Sequence, residues 1–134
     1  MLVDNVNDLQ NMQNNLSGSY ALGKNIDASA TSTWNTTYGF APIGSATANF
    51  SSSFNGLDHS ITGLTINRSF ADMVGLFGGV GQGGVIKNVS LIGAAVQGHW
   101  DTGGLAGWSA GTITNSIGGL VGENNGTMNN KAEL

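Results

Sequence analysis

Two histidine neighbourhoods, Asp58-His59 and His99-Trp100-Asp101, are where the residue types come nearest to acid–base chemistry. With Ser60 or Ser109 as nucleophile, either would complete a serine–histidine–carboxylate set on paper, the imidazole taking the hydroxyl proton. Successive side chains of a strand point to opposite faces, so Asp58 and His59 are poorly placed to share a proton. His99 and Asp101 could share a face, but their segment reads as a polar turn. Polysaccharide cleavage needs clustered carboxylates, with or without Ca²⁺. Here Asp27, Asp58, Asp72, Asp101 and Glu123 are scattered. The glycine run Gly78–Gly84 lacks the Gly-Lys-Ser/Thr that follows in a phosphate loop and reads as a turn. With no cysteine, disulfides, thiolate metal sites and thiol catalysis are excluded. The expectation is a protein with no catalytic group, no metal and no cofactor. What remains is aromatic: Trp34, Tyr38, Trp100 and Trp108 offer flat apolar faces on which sugar rings stack. Trp100 and Trp108 are the first candidates, because loops surround them; the competing role is covering the ends or corners of a core.

The elements that would position these residues follow from composition. The 134 residues include 22 glycines and one proline, and only 9% are charged. Asn, Ser and Thr fill the polar positions in place of the Lys and Glu that exposed helices rely on. That mixture suits short strands joined by tight turns, an all-β class. A net charge of -4 with four basic residues argues against nucleic-acid binding. No apolar run approaches the ~20 residues that cross a bilayer as a helix, so no membrane insertion is expected. One segment has helical period: Val6, Leu9, Met12 and Leu16, with Asn5 as N-cap, Asp8 three positions on, and Gly18 as the stop. Residues 1–18 are therefore read as a helical cap and 19–134 as the β domain.

Within that domain a phrase recurs. Gly75-Leu76-Phe77-Gly78, Gly104-Leu105-Ala106-Gly107 and Gly119-Leu120-Val121-Gly122 open it, and Gly-x-Ile-x-Asn or a close variant ends it. The three copies span 75–88, 104–115 and 119–130. Ile61-Thr62-Gly63-Leu64-Thr65-Ile66 also aligns with Ile86-Lys87-Asn88-Val89-Ser90-Leu91, 25 residues later. The slot two places after the isoleucine holds Gly63, Asn88, Asn115 and Asn130, residues that tolerate positive φ, which predicts a recurring sharp corner. A unit this small cannot bury its own apolar face, but copies stacked at ~4.8 Å form a continuous core. The reading is a right-handed parallel β-helix (a β-solenoid) with coils of about 25–27 residues. Ile61, Ile86, Ile113 and Met128 are expected to form one internal stack, and Asn88 and Asn115 a corner ladder. The last two openings lie only 15 residues apart, so residues after about Ile117 are expected to form an incomplete coil with an edge open to self-association.

These phrases resemble a known family. Gly-Leu-x-Gly followed by Gly-x-Ile-x-Asn resembles the GLUG repeat of large bacterial surface and secreted proteins. Upstream, YALGKNIDASATSTWN (Tyr20–Asn35), GFAPIG (Gly39–Gly44) and FSSSFNGLDHSITGLTI (Phe50–Ile66) resemble the passengers of filamentous-haemagglutinin-like exoproteins. Those are exported by two-partner secretion and act mainly as adhesins. The resemblance covers residues 6 to 130. It implies the right-handed β-helix, a secreted or cell-surface location, and a glycan or protein of a host or neighbouring cell as partner. The family's export signal and secretion domain are absent, so the chain is expected to be a fragment or domain. The function this implies is a non-enzymatic adhesin module, a scaffold or binding surface; the competing readings are a β-helical carbohydrate-active enzyme and a purely structural spacer.

Overall fold

A computed structural model describes residues 1–118 and 121–129; the third Gly-Leu opening (Gly119-Leu120) and Asn130 lie outside them. The described residues are mostly strand with one short α-helix. Along the chain come β1 (Leu2–Val3), α1 (Val6–Asn11) with a 3-10 turn (Met12–Asn14), β2 (Tyr20–Leu22) and β3 (Ile26–Asp27). A second 3-10 turn (Ser29–Thr33) precedes β4 (Ser53–Asn55), β5 (Ser60–Thr62), β6 (Thr65–Asn67) and β7 (Phe77–Val80). Then follow β8 (Val85–Lys87), β9 (Ser90–Ile92), β10 (Ala95–Gln97), β11 (Ala106–Ser109), β12 (Thr112–Thr114), β13 (Val121–Asn124) and β14 (Thr127–Asn129). Among the described residues no helix is long and apolar enough to cross a membrane.

Every pairing between these strands is parallel. The largest sheet runs β1-β2-β4-β8-β12-β14, with three smaller ones ordered β13-β11-β7, β3-β5-β9 and β10-β6. Consecutive strands β7, β8, β9 and β10 enter four different sheets before β11 returns beside β7. Strands of two to four residues are too short to stand alone. Their inward side chains merge into one core that includes Phe40, Phe50, Phe54, Phe77, Leu64 and Ile66, each fully buried.

The register corrects two expectations. Ile86 does face Ile113, and Ile113 faces Met128. The neighbour of Ile86 on its other side is Phe54, however, not Ile61. Ile61 lies between Ile26 and Leu91 in another sheet. The repeat distance is accordingly longer than 25–27 residues for most returns: Ile113 follows Ile86 by 27, Leu91 follows Ile61 by 30 and Ile61 follows Ile26 by 35. The cause is local likeness. β5 is followed by left-handed Gly63 (φ 75°) and β8 by left-handed Asn88 (φ 57°), so two different corners carry the same three-residue strand and bend. The true partner of the Gly63 corner is Gly93 (φ 63°).

Asn115 also turns left-handed (φ 49°), as the corner reading requires. The amide contact runs the other way, though: Asn88 Nδ2 donates to Asn55 Oδ1 at 3.1 Å, while Asn115 is exposed. In α1 the Asn5 side chain accepts from the Asp8 N–H, and Val6, Leu9 and Met12 are buried. The helix ends at Asn11, well before Gly18, and β1 ahead of it is already an edge strand of the largest sheet. At the other end, β13 and β14 pair with β11 and β12. Between β12 and β13 Ile117 bridges Ser90, and among the described residues no strand of this turn joins β9 or β10.

Candidate functional site

Three turns stack at the corner that follows the β6–β10 sheet, and each leaves an aromatic ring in solvent. Backbone bonds set the stacking. The Asn67 N–H donates to the Tyr38 carbonyl, Arg68 to Gln97, His99 to Ala71 and Met73 to Trp100, at 2.7–2.9 Å. Tyr38, Phe70 and Trp100 are 47%, 66% and 69% exposed, and large apolar side chains grouped in solvent mark interaction surfaces. Tyr38 and Phe70 meet edge to face with centroids 5.2 Å apart, and the Arg68 guanidinium lies 5.9 Å from the Tyr38 centroid.

Trp100 is held from behind. Asp72 Oδ1 accepts the Trp100 backbone N–H at 3.0 Å and contacts His99 Nδ1 at 2.8 Å. The His99 ring in turn stacks on Trp100, 4.7 Å between centroids and 27° between planes. One carboxylate thus orients both rings. These bonds, the Trp100 N–H first and His99 second, hold the Asp72 carboxyl below the usual carboxylate range. The stabilisation is therefore full above the ordinary Asp pKa of about 3.9 and is lost as pH falls through the lower folded value. Acid titration of the Trp100 and His99 resonances should show this loss in the native protein, with Asp72→Asn removing the acid-linked step.

His99 therefore pairs with Asp72 and not with Asp101, which sits left-handed (φ 54°) two residues further on. His59 Nδ1 contacts Asn25 Oδ1 at 3.2 Å, and that oxygen also accepts the Ser60 N–H. The buried Ser109 hydroxyl oxygen accepts the Gly111 N–H. Neither serine is brought to a histidine–carboxylate pair by these bonds. Among the described residues no group of three metal-ligating side chains occurs.

Among the described residues no ring contact joins Trp100 to Trp108; the ring beside Trp100 is that of His99. Trp108 is half-buried on β11 between Gly79 and Glu123 of the flanking strands, beside a groove of about 270 Å³ shared with Met73 and Asp101. Trp34 stacks on buried Phe40, 20° between planes. Phe70 and Arg68 are passed over at the level of sequence, and Asp72 stands there only as one of the scattered carboxylates. The signal was present at the 30-residue offset, where Thr65-Ile66-Asn67-Arg68-Ser69-Phe70 lies over Ala95-Val96-Gln97-Gly98-His99-Trp100, both ending on an aromatic.

No family model matches the chain, and no solved structure matches it. It is similar to halomucin of Haloquadratum walsbyi, 42% identical over 139 residues covering 90% of this chain. It is also similar to a putative Gly-rich membrane protein of Evansella cellulosilytica, 42% identical over 55 residues or 41% of this chain. The chain spans 2% of the length of the first and 6% of the second.

Proposed function

We propose that this chain is a non-enzymatic module of a secreted or surface-exposed, adhesin-like protein, built as a right-handed parallel β-helix of the GLUG-repeat type. Parallel strands that return to the same sheet, most of them after 27 to 35 residues, support the architecture. The surface location draws on the printed names of the two relatives, a halomucin and a Gly-rich membrane protein, each many times longer than this chain. Among the described residues β13 and β14 are edge strands of their sheets, and those edges are where self-association belongs in this reading.

The observation that carries the binding role is the corner where Tyr38, Phe70 and Trp100 project from successive turns. Flat apolar rings with Arg68, Asp72 and His99 beside them suit a sugar, whose ring has an apolar face and a hydroxyl rim. The partner class is a glycan of a host or neighbouring cell. A glycan array should give a long-lived complex without product. Trp100→Ala should weaken it roughly tenfold, the scale of one stacking contact together with its buried area. Turnover of a bound glycan that Asp72→Asn or Asp101→Asn abolishes would overturn the proposal in favour of a carbohydrate-active enzyme. Undiminished binding by Trp100→Ala would remove the corner from the site.

A further inference from the structure

A second groove, of about 530 Å³, is lined by Asn7, Gln10, Asn11, Trp34, Asn35 and Ala41, the last three from the segment that carries Tyr38. Its lining holds no ionisable side chain. Asn7 and Asn11 stand one helical turn apart on α1, hence on one face, and both are exposed. Among the described residues neither side-chain amide has a protein partner, so each can donate and accept. Asn35 spends its Nδ2 on the Gly39 carbonyl at 2.7 Å, which leaves its Oδ1 as an acceptor.

The walls are fixed before any ligand arrives. Gln10 clamps α1 to the floor with both ends of its amide, Nε2 to the Ala41 carbonyl at 3.0 Å and Oε1 from the Ala41 N–H at 2.9 Å. Trp34 is held by stacking on Phe40, which is fully buried. Beyond Trp34 the chain makes three successive left-handed residues, Asn35, Thr36 and Thr37 (φ 53°, 54° and 70°), an arrangement that Thr adopts only under strain. The Gly39 N–H closes that turn on the Trp34 carbonyl at 3.0 Å. The same short turn thus ends in Trp34 at the groove and Tyr38 at the aromatic corner.

An indole wall with several carboxamides is chemistry for vicinal hydroxyls or acetamido groups on a ring with an apolar face. A sulfated or uronic sugar would bring a charge with no counter-charge in the lining, at a cost in desolvation. We infer that this groove is a subsite for an uncharged sugar unit, continuous with the aromatic corner through residues 34–38. The inference rests on the glycan reading of that corner.

The test uses the whole ¹⁵N-labelled chain, titrated with cellotetraose, mannotetraose and tetraacetylchitotetraose, and with a sulfated heparan tetrasaccharide as the charged probe. A neutral probe should shift the Trp34 indole N–H and the Asn7 and Asn11 side-chain amides, and the charged probe should not. The Asn7→Ala/Asn11→Ala double variant changes only exposed side chains and should lower affinity about tenfold or more, the scale of two hydrogen bonds. Shifts confined to Tyr38, Phe70 and Trp100 would overturn the groove while leaving the corner intact. Equal response to the charged probe, or full affinity in the double variant, would overturn it as well. Silence at both surfaces with every probe would remove both readings together.

Discussion

Phe77→Ala should lower the unfolding free energy by about 3–5 kcal/mol, the range for emptying a buried aromatic site. Phe77 is fully buried, with Phe50 and Phe54 at centroid distances of 4.9 and 5.4 Å. The cost belongs toward the upper end because the site cannot collapse. Phe77 is held in parallel register with Ala106 on one side and Ile43 on the other, so closing the cavity means breaking ladder bonds. Against a typical total of about 5–15 kcal/mol, this one change removes a large part of the stability. Phe70→Ala is the control: the same side chain, 66% exposed, should cost less than about 0.5 kcal/mol. Urea unfolding followed by tryptophan fluorescence checks both, and equal losses in the two variants would show that the core assignment is wrong.

Gly107→Ala should be nearly as damaging, at about 2–3 kcal/mol, through overpacking. A Cβ at this position would stand 2.5 Å from Met73 C and Val74 N, and 2.6 Å from the Asp101 carbonyl oxygen. None of these atoms can yield cheaply. The Met73 N–H is bonded to the Trp100 carbonyl and the Val74 N–H to that of Asp101. The same closeness recurs in the other two copies: a Cβ on Gly78 would meet the Gly44 carbonyl, and one on Gly122 the Asp101–Thr102 backbone. The second glycine of Gly-Leu-x-Gly is therefore a contact requirement between adjacent turns. Gly93→Ala separates this from backbone strain, since Gly93 is left-handed but faces open space. It should cost only about 1–2 kcal/mol. Thermal unfolding of the two variants would rank them, and a smaller loss for Gly107→Ala would refute the steric account.

Much of the architecture was legible residue by residue. Asn5 before the apolar period of Val6, Leu9 and Met12 marked the one helix, although the helix stops at Asn11 instead of running to Gly18. The left-handed corners at Asn88 and Asn115 followed from residue type. The 15-residue interval between the last two Gly-Leu openings matches β13 and β14 lying on β11 and β12 with, among the described residues, no strand of that turn on β9 or β10. The functional surface was less legible. Trp100 and Tyr38 are both named from sequence, but Asp72, which holds Trp100, lies 28 positions before it, and Phe70, which meets the Tyr38 ring, 32 positions after Tyr38. Trp108, taken with Trp100 because loops surround both, lies instead on β11.

By itself, then, the sequence determined the class of structure: short strands, tight corners and parallel repetition, because alternating apolar residues and Gly/Asn punctuation act within a few positions. Only the tertiary structure decided which corner lies over which. The corners are chemically alike and the intervening turns differ in length, so Ile61 went to Ile26 and Leu91 instead of to Ile86. It also decided which rings face solvent. A ring on a turn is covered or exposed according to what the next turn places beside it, and that depends on a register no single segment contains.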